Sequence, residues 1–141
     1  MEGEGLSTRV QKVIWKNLRI CKKDIKKIIT ICHENDIQTK LNFIIELPEQ
    51  TIGDLANIVD LILKCKPSEM ALNSLTPYPG TYVGNNFKDL GMYYDIPHWW
   101  EKGPKYFSLS NQHLDNKDIN IYFKLINQLA VSSGINVMKG Y

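Results

Sequence analysis

Three features of this 141-residue chain predict an α/β fold with parallel strands. Leu41, Phe43 and Ile45 alternate with Asn42 and Ile44, the period-two pattern of a strand with one strongly apolar face. Apolar stripes at three- and four-residue spacing flank it, as amphipathic helices require. A second strand-like run follows at residues 69–75. Strand, helix and strand in that order imply a crossover connection, with parallel strands and a right-handed path.

The length suggests one domain able to bury a real core. Hydrophobic content of 43% and charged content of 23% are those of an ordinary globular protein. A net charge of +2 gives no general reason to expect a nucleic acid or membrane partner. No apolar run approaches a membrane span, and Met1-Glu2-Gly3-Glu4-Gly5 does not read as a signal peptide, so a cytoplasmic location is expected. Cys21, Cys32 and Cys65 lie 11 and 33 residues apart. An odd count without a close pair argues against a disulfide framework and against a zinc or cluster site, so all three are expected to be reduced and structural.

The first seven residues read as loop, with Ser7 as a helix N-cap. Val10, Val13, Ile14 and Leu18 form the first helical stripe, and Ile25, Ile28, Ile29 and Cys32 form the second. The second is expected to end near Asn35-Asp36, with Asn35 in the left-handed position usually given to glycine. Lys12, Lys16, Lys22, Lys23, Lys26 and Lys27 lie mostly off these stripes, and a solvated face suits them better than a nucleic-acid groove. After the strand at 41–45, Leu47-Pro48-Glu49-Gln50 breaks the extended run, because proline lacks a ladder donor and restricts its predecessor. Thr51 with Asp54 resembles a capping box opening a helix over 51–64, whose stripe is Leu55, Ile58, Val59 and Ile62. Pro67 stops that helix. The strand at 69–75 ends in Thr76-Pro77-Tyr78-Pro79-Gly80-Thr81, a rigid turn.

Residues 82–114 read as irregular and rich in aromatics, including Tyr93, Tyr94, Trp99, Trp100, Tyr106 and Phe107. They could line a cavity, but packing across an exposed core is favoured. Asp115 with Asp118 can cap a last helix whose stripe is Ile119, Tyr122, Phe123, Ile126 and Leu129. The tail beyond Ser132 carries no pattern. A parallel sheet needs cover on both faces, and two strands cannot provide for that alone. A partner is therefore expected: further chain, a second copy or another subunit.

Several chemical constellations fail. There is no phosphate-binding glycine loop, no nucleophile elbow and no His-x-x-x-His pair. His33, His98 and His113 are scattered. Glu46 and Glu49 sit three residues apart across a proline turn, and spacing alone does not set their separation. No catalytic residue and no metal ligand set is assigned.

Three segments together resemble the radical SAM superfamily. Glu4-Gly5-Leu6-Ser7-Thr8-Arg9-Val10, with Lys16-Asn17 after it, resembles the segment following the fourth barrel strand, often Gly-Ile-Glu-Ser-x-Ser with an apolar stripe and then Lys-Gly. Phe43-Ile44-Ile45-Glu46-Leu47-Pro48-Glu49-Gln50-Thr51 is similar to the fifth-strand motif, commonly Phe-Ile-Ile-Gly-Leu-Pro-Gly-Glu-Thr. Leu75-Thr76-Pro77-Tyr78-Pro79-Gly80-Thr81 is similar to the sixth-strand ending Pro-Tyr-Pro-Gly-Thr of the cobalamin-binding and methylthiotransferase-like branches. The resemblance covers roughly residues 2–85.

It implies the C-terminal half of a partial (β/α)6 TIM-like barrel, with covering helices and a further C-terminal helix. Residues 1–85 would be the half-barrel, matching the family's fourth to sixth strands, and 86–141 an aromatic-rich extension ending in that helix. By resemblance, Glu4 and Ser7 would lie near the ribose or methionine part of S-adenosylmethionine. Ile44, Ile45, Glu46 and Leu47 would supply an apolar wall and backbone groups for adenine, and Thr76, Pro77 and Tyr78 would border the same pocket. The implied cofactors are S-adenosylmethionine and a 4Fe-4S cluster, with cobalamin in an intact protein of that branch.

Departures are equally plain. The family's Cys-x-x-x-Cys-x-x-Cys loop is absent, so the cluster ligands are not in this chain. The two fifth-strand glycines are Glu46 and Glu49 here, and the acid is Gln50. Glycine in those places permits positive φ or close backbone approach, whereas glutamate adds bulk and charge. Three readings stay open: a fragment or split part of a radical SAM enzyme, a non-catalytic αβ module that completes its sheet with a partner chain, and a degenerate remnant.

Overall fold

A computed structural model describes residues 22–94 and 109–138. Glu4, Ser7, the stripe from Val10 to Leu18, Cys21, His98, Trp99, Trp100, Tyr106 and Phe107 lie outside the described residues. The described elements are α1 (Lys22–Glu34), β1 (Lys40–Ile45), α2 (Ile52–Cys65), β2 (Glu69–Ser74) and a short α3 (Tyr82–Asn86). They continue with β3 (Tyr93–Tyr94), β4 (Leu109–Ser110), α4 (Asn116–Ser132) and β5 (Asn136–Val137).

The fold is mixed α/β, built on a three-stranded parallel sheet in the order β1-β2-β5. β3 and β4 form a separate antiparallel pair. Strands β1 and β2 run in register from Lys40 opposite Glu69 to Ile45 opposite Ser74. Each new strand is added beside the previous one, and no strand doubles back across the sheet.

Side chains alternate across a strand, so Leu41, Phe43 and Ile45 share a face with Met70 and Leu72. That face is the core. It gathers Ile29 from α1, Leu55, Ile58, Leu61, Ile62 and Cys65 from α2, and Ile119, Ile126 and Ala130 from α4. All three long helices therefore pack on one side of the sheet. On the opposite face stand Asn42, Ile44, Ala71 and Asn73, and no helix among the described residues covers it. Ile44 is 42% exposed.

The capping box opening α2 forms as the residues predict. Thr51 accepts from the Asp54 N–H, and the Asp54 carboxylate accepts from the Thr51 N–H at 2.8 Å. Lys66, in the left-handed region at φ 46°, ends the helix before Pro67. Along its buried side Leu61 lies deeper than Val59, which is only partly covered. Asp115 and Asp118 form the second capping box, at the start of α4.

Four expectations need correction. Ile28 is 55% exposed, because α1 meets the core through Ile29 with Ile25 packed beside it. Asp36, not Asn35, takes the left-handed position after α1, at φ 56°; the Ile37 N–H then closes the helix on the Cys32 carbonyl at 2.8 Å. Residues 82–114 are not wholly irregular, since they contain α3 and the β3–β4 pair. The tail beyond Ser132 is a structured return: Gly134 at φ 78° reverses the chain, Ile135 enters the core, and β5 pairs with β2. That third strand makes β2, not β1, the central strand, with Met70, Ala71 and Leu72 all buried. Among the described residues, no helix is long and apolar enough to cross a membrane.

Candidate functional site

Parallel strands carry their ligand sites at their C-terminal ends, where backbone groups leave the ladder. Here those ends are Ile45-Glu46 and Ser74-Leu75, tied together by the Leu75 N–H donating to the Ile45 carbonyl at 3.0 Å. Glu46 follows β1 with φ 65°, and Glu49 three residues later has φ 61°. Both are left-handed, a conformation in which a β-carbon crowds the following carbonyl. These are the two positions at which the resembling motif places glycine.

The two carboxylates diverge. Glu46 is buried, and its carboxylate accepts from the Ser74 hydroxyl. Glu49 is half-buried and turns outward, where the Gln112 side-chain amide donates to it and His113 Nε2 stands 3.5 Å away.

The turn between them is closed from within. The Gln50 N–H donates to the Leu47 carbonyl at 3.1 Å, and the buried Gln50 amide oxygen accepts from the Leu47 N–H at 3.3 Å. Asn111, 64 residues further along, completes the closure. Its Nδ2 donates to the carbonyls of Leu47 at 2.9 Å and Gln50 at 3.0 Å. Its Oδ1 accepts from the N–H groups of His113 at 2.7 Å and Leu114 at 2.9 Å. One buried amide thus joins the strand-end turn to the segment that leads into α4.

The second strand end is rigid for local reasons. Pro77 is buried, and the Thr81 hydroxyl donates to the Tyr78 carbonyl at 2.7 Å while accepting from the Gly84 N–H at 3.0 Å. Gly80 sits at φ 87°, and a β-carbon on Gly84 would collide with the Tyr78 carbonyl.

Of the residues singled out from sequence, Glu4 and Ser7 lie outside the described residues. Ile44 stands on the uncovered face, whereas the Ile45 side chain is in the core. Glu46 and Leu47 form the strand-end turn; Thr76 and the exposed Tyr78 flank buried Pro77 on the neighbouring end. Ser74, Gln50 and Asn111 belong to the same constellation and were not anticipated. Ser74 has a retrospective signal, as the last β2 residue in register with Ile45.

The implied groups can be tested against these residues. Cys65 is buried in the core, where burial pushes its thiol up from the usual 9.0, and Cys32 is half-buried on α1. Among the described residues no three His, Cys, Asp or Glu side chains converge on a metal-sized point. These residues do not fit a 4Fe-4S cluster. Of the residues implied for S-adenosylmethionine, Ile44 and Tyr78 are exposed and Thr76 partly so, whereas the polar backbone groups of Leu47 are already engaged. No family model and no curated protein matches the chain.

Proposed function

We propose that this chain is the second half of a radical SAM-type barrel, contributing pocket walls to an assembled site while leaving cluster binding to chain outside this sequence. The observation that carries the reading is the left-handed backbone at both Glu46 and Glu49. The motif it resembles has glycine at those two places, and glycine is the residue that such angles favour. Sheet strands in chain order, with the three long described helices on the core face, also suit a barrel segment better than a doubly wound sheet. In the assembled barrel, Glu4 and Ser7 would meet the polar parts of S-adenosylmethionine, and Ile44 and the Thr76-Pro77-Tyr78 turn would wall the pocket. Any cobalamin requirement belongs to that assembled protein. The chain by itself starts no radical chemistry, because it lacks the clustered thiolates that would carry the iron.

The test restores the glycines. The 141-residue chain carrying Glu46→Gly and Glu49→Gly is titrated with S-adenosylmethionine to millimolar concentration, with its thermal midpoint as readout. The expected result is a saturable rise that a further Glu4→Ala change abolishes. A folded double-glycine chain that shows no shift contradicts the reading.

A second reading, the non-catalytic αβ module, is favoured by one observation. Strand β1 is an edge of the sheet among the described residues, with Ile37 56% exposed beside it and Ile44 outward on the uncovered face. An edge of six residues with apolar neighbours invites strand pairing with another chain.

A further inference from the structure

Glu46 accumulates costs that a glycine would avoid. Its backbone is left-handed at φ 65°. Its carboxylate is withdrawn from water, with 1% of the residue exposed, and a buried charge is costly unless it is well partnered. It also stands where parallel sheets hold ligands, at the C-terminal strand ends. The side chain is nevertheless held in place, and one of its partners is the Ser74 hydroxyl.

Its surroundings behave like a filled site. The Ile45 carbonyl is taken by the Leu75 N–H, the Leu47 N–H by Gln50, and the Leu47 carbonyl by Gln50 and Asn111. Ordinarily a ligand or water completes such strand-end groups. Here Gln50 and Asn111, both nearly inaccessible, complete the Leu47 groups from within, beside the buried Glu46.

We propose that the strand ends at Ser74 form a carboxylate-binding site, occupied in this chain by its own Glu46 side chain acting as a tethered ligand. The class of ligand it takes is a small carboxylate, or the carboxylate end of a larger metabolite. Such a ligand enters only in competition with Glu46, whose tether gives it a high effective concentration. The proposal does not depend on the half-barrel reading, since it uses only the buried acid, its hydroxyl partner and their place at the strand ends.

The test is chemical rescue in the full 141-residue chain. Glu46→Gly removes the tethered carboxylate and suits the left-handed backbone, so the turn keeps its path. Thermal midpoints are compared in sodium formate, sodium acetate, formamide and sodium chloride, with the salts matched in ionic strength. Formate and acetate are expected to raise the midpoint of Glu46→Gly saturably, by about 4–8 °C at roughly ten times the dissociation constant. Formamide should not, the natural chain should respond to formate as it does to chloride, and Glu46→Gly with Ser74→Ala should lose the effect. A folded Glu46→Gly chain that responds alike to formate and chloride overturns the proposal. A natural chain responding as strongly as the variant overturns it too. If Glu46→Gly does not fold in chloride, the folded fraction recovered on refolding becomes the readout. Recovery in formate but not formamide supports the site, and no recovery in either carboxylate overturns it.

Discussion

At position 49 a glutamate carries a backbone angle of φ 61°, and its half-buried carboxylate has Gln112 and His113 on the surface among its partners. The backbone penalty there is therefore separable from burial. Glu49→Gly is expected to leave stability within about 0.5 kcal/mol, because relief of left-handed crowding offsets the lost surface contacts. Glu49→Ala, which keeps the β-carbon, should fall below the glycine variant by about 1 kcal/mol in denaturant titration. Equal midpoints would mean that the left-handed angle is not imposed. Asn111 differs, since both its amide ends are used in the interior. Asn111→Ala removes the side-chain partner of the Gln50 carbonyl and of the His113 and Leu114 N–H groups, while the Leu47 carbonyl keeps the Gln50 N–H, and should cost about 3 kcal/mol in the same measurement. Cys65 gives a pH test. Burial raises its thiol above the usual 9.0, so the unfolded chain releases that proton first as pH rises. This contribution is complete below pH 9.0 and is lost as pH climbs through the higher folded value. Cys65→Ala should flatten that alkaline decline; an unchanged slope would place its cause elsewhere.

Among the elements, those specified by near neighbours were legible. Both capping boxes follow from a side chain three residues ahead, Asp54 for Thr51 and Asp118 for Asp115, and both form. The alternation at 41–45 likewise places Phe43 and Ile45 inward. β5 was not legible, because two paired residues are too short for any period to show. Its signal lay instead in Gly134 followed by Ile135, a helix stop with an apolar residue behind it. Asn111 could be read locally only as a turn former bonding the N–H groups just after it; its closure of the strand-end turn was not legible, since those partners are 61 and 64 residues away. The α3 turn offers a test at this scale. Alanine normally favours a helix over glycine, by about 1 kcal/mol. Gly84→Ala should nevertheless destabilise the chain, because its β-carbon would meet the Tyr78 carbonyl. A rise in thermal midpoint would show that the turn can move aside.

For the molecule as a whole, the winding of the sheet matters more than any one contact. β1, β2 and β5 follow each other across it, the long described helices share one face, and the other face presents Asn42, Ile44 and Asn73 around the buried Ala71. A sequence pattern could suggest parallel strands, but it could not say on which face each helix would settle. That choice comes from the joint burial of α1, α2 and α4, a non-local event. Among the described residues, then, β1 is an edge strand and one sheet face has no helix over it, the two features by which the proposed half-barrel would be completed by further chain. The most direct measurement is the mass of the 141-residue chain in solution across a wide concentration range, by sedimentation, together with its melting profile. Concentration-dependent association is expected, and it should weaken when Ile44, 42% exposed on the face without a described helix, is changed to lysine. A monodisperse monomer at every concentration, melting in one cooperative step, would contradict it.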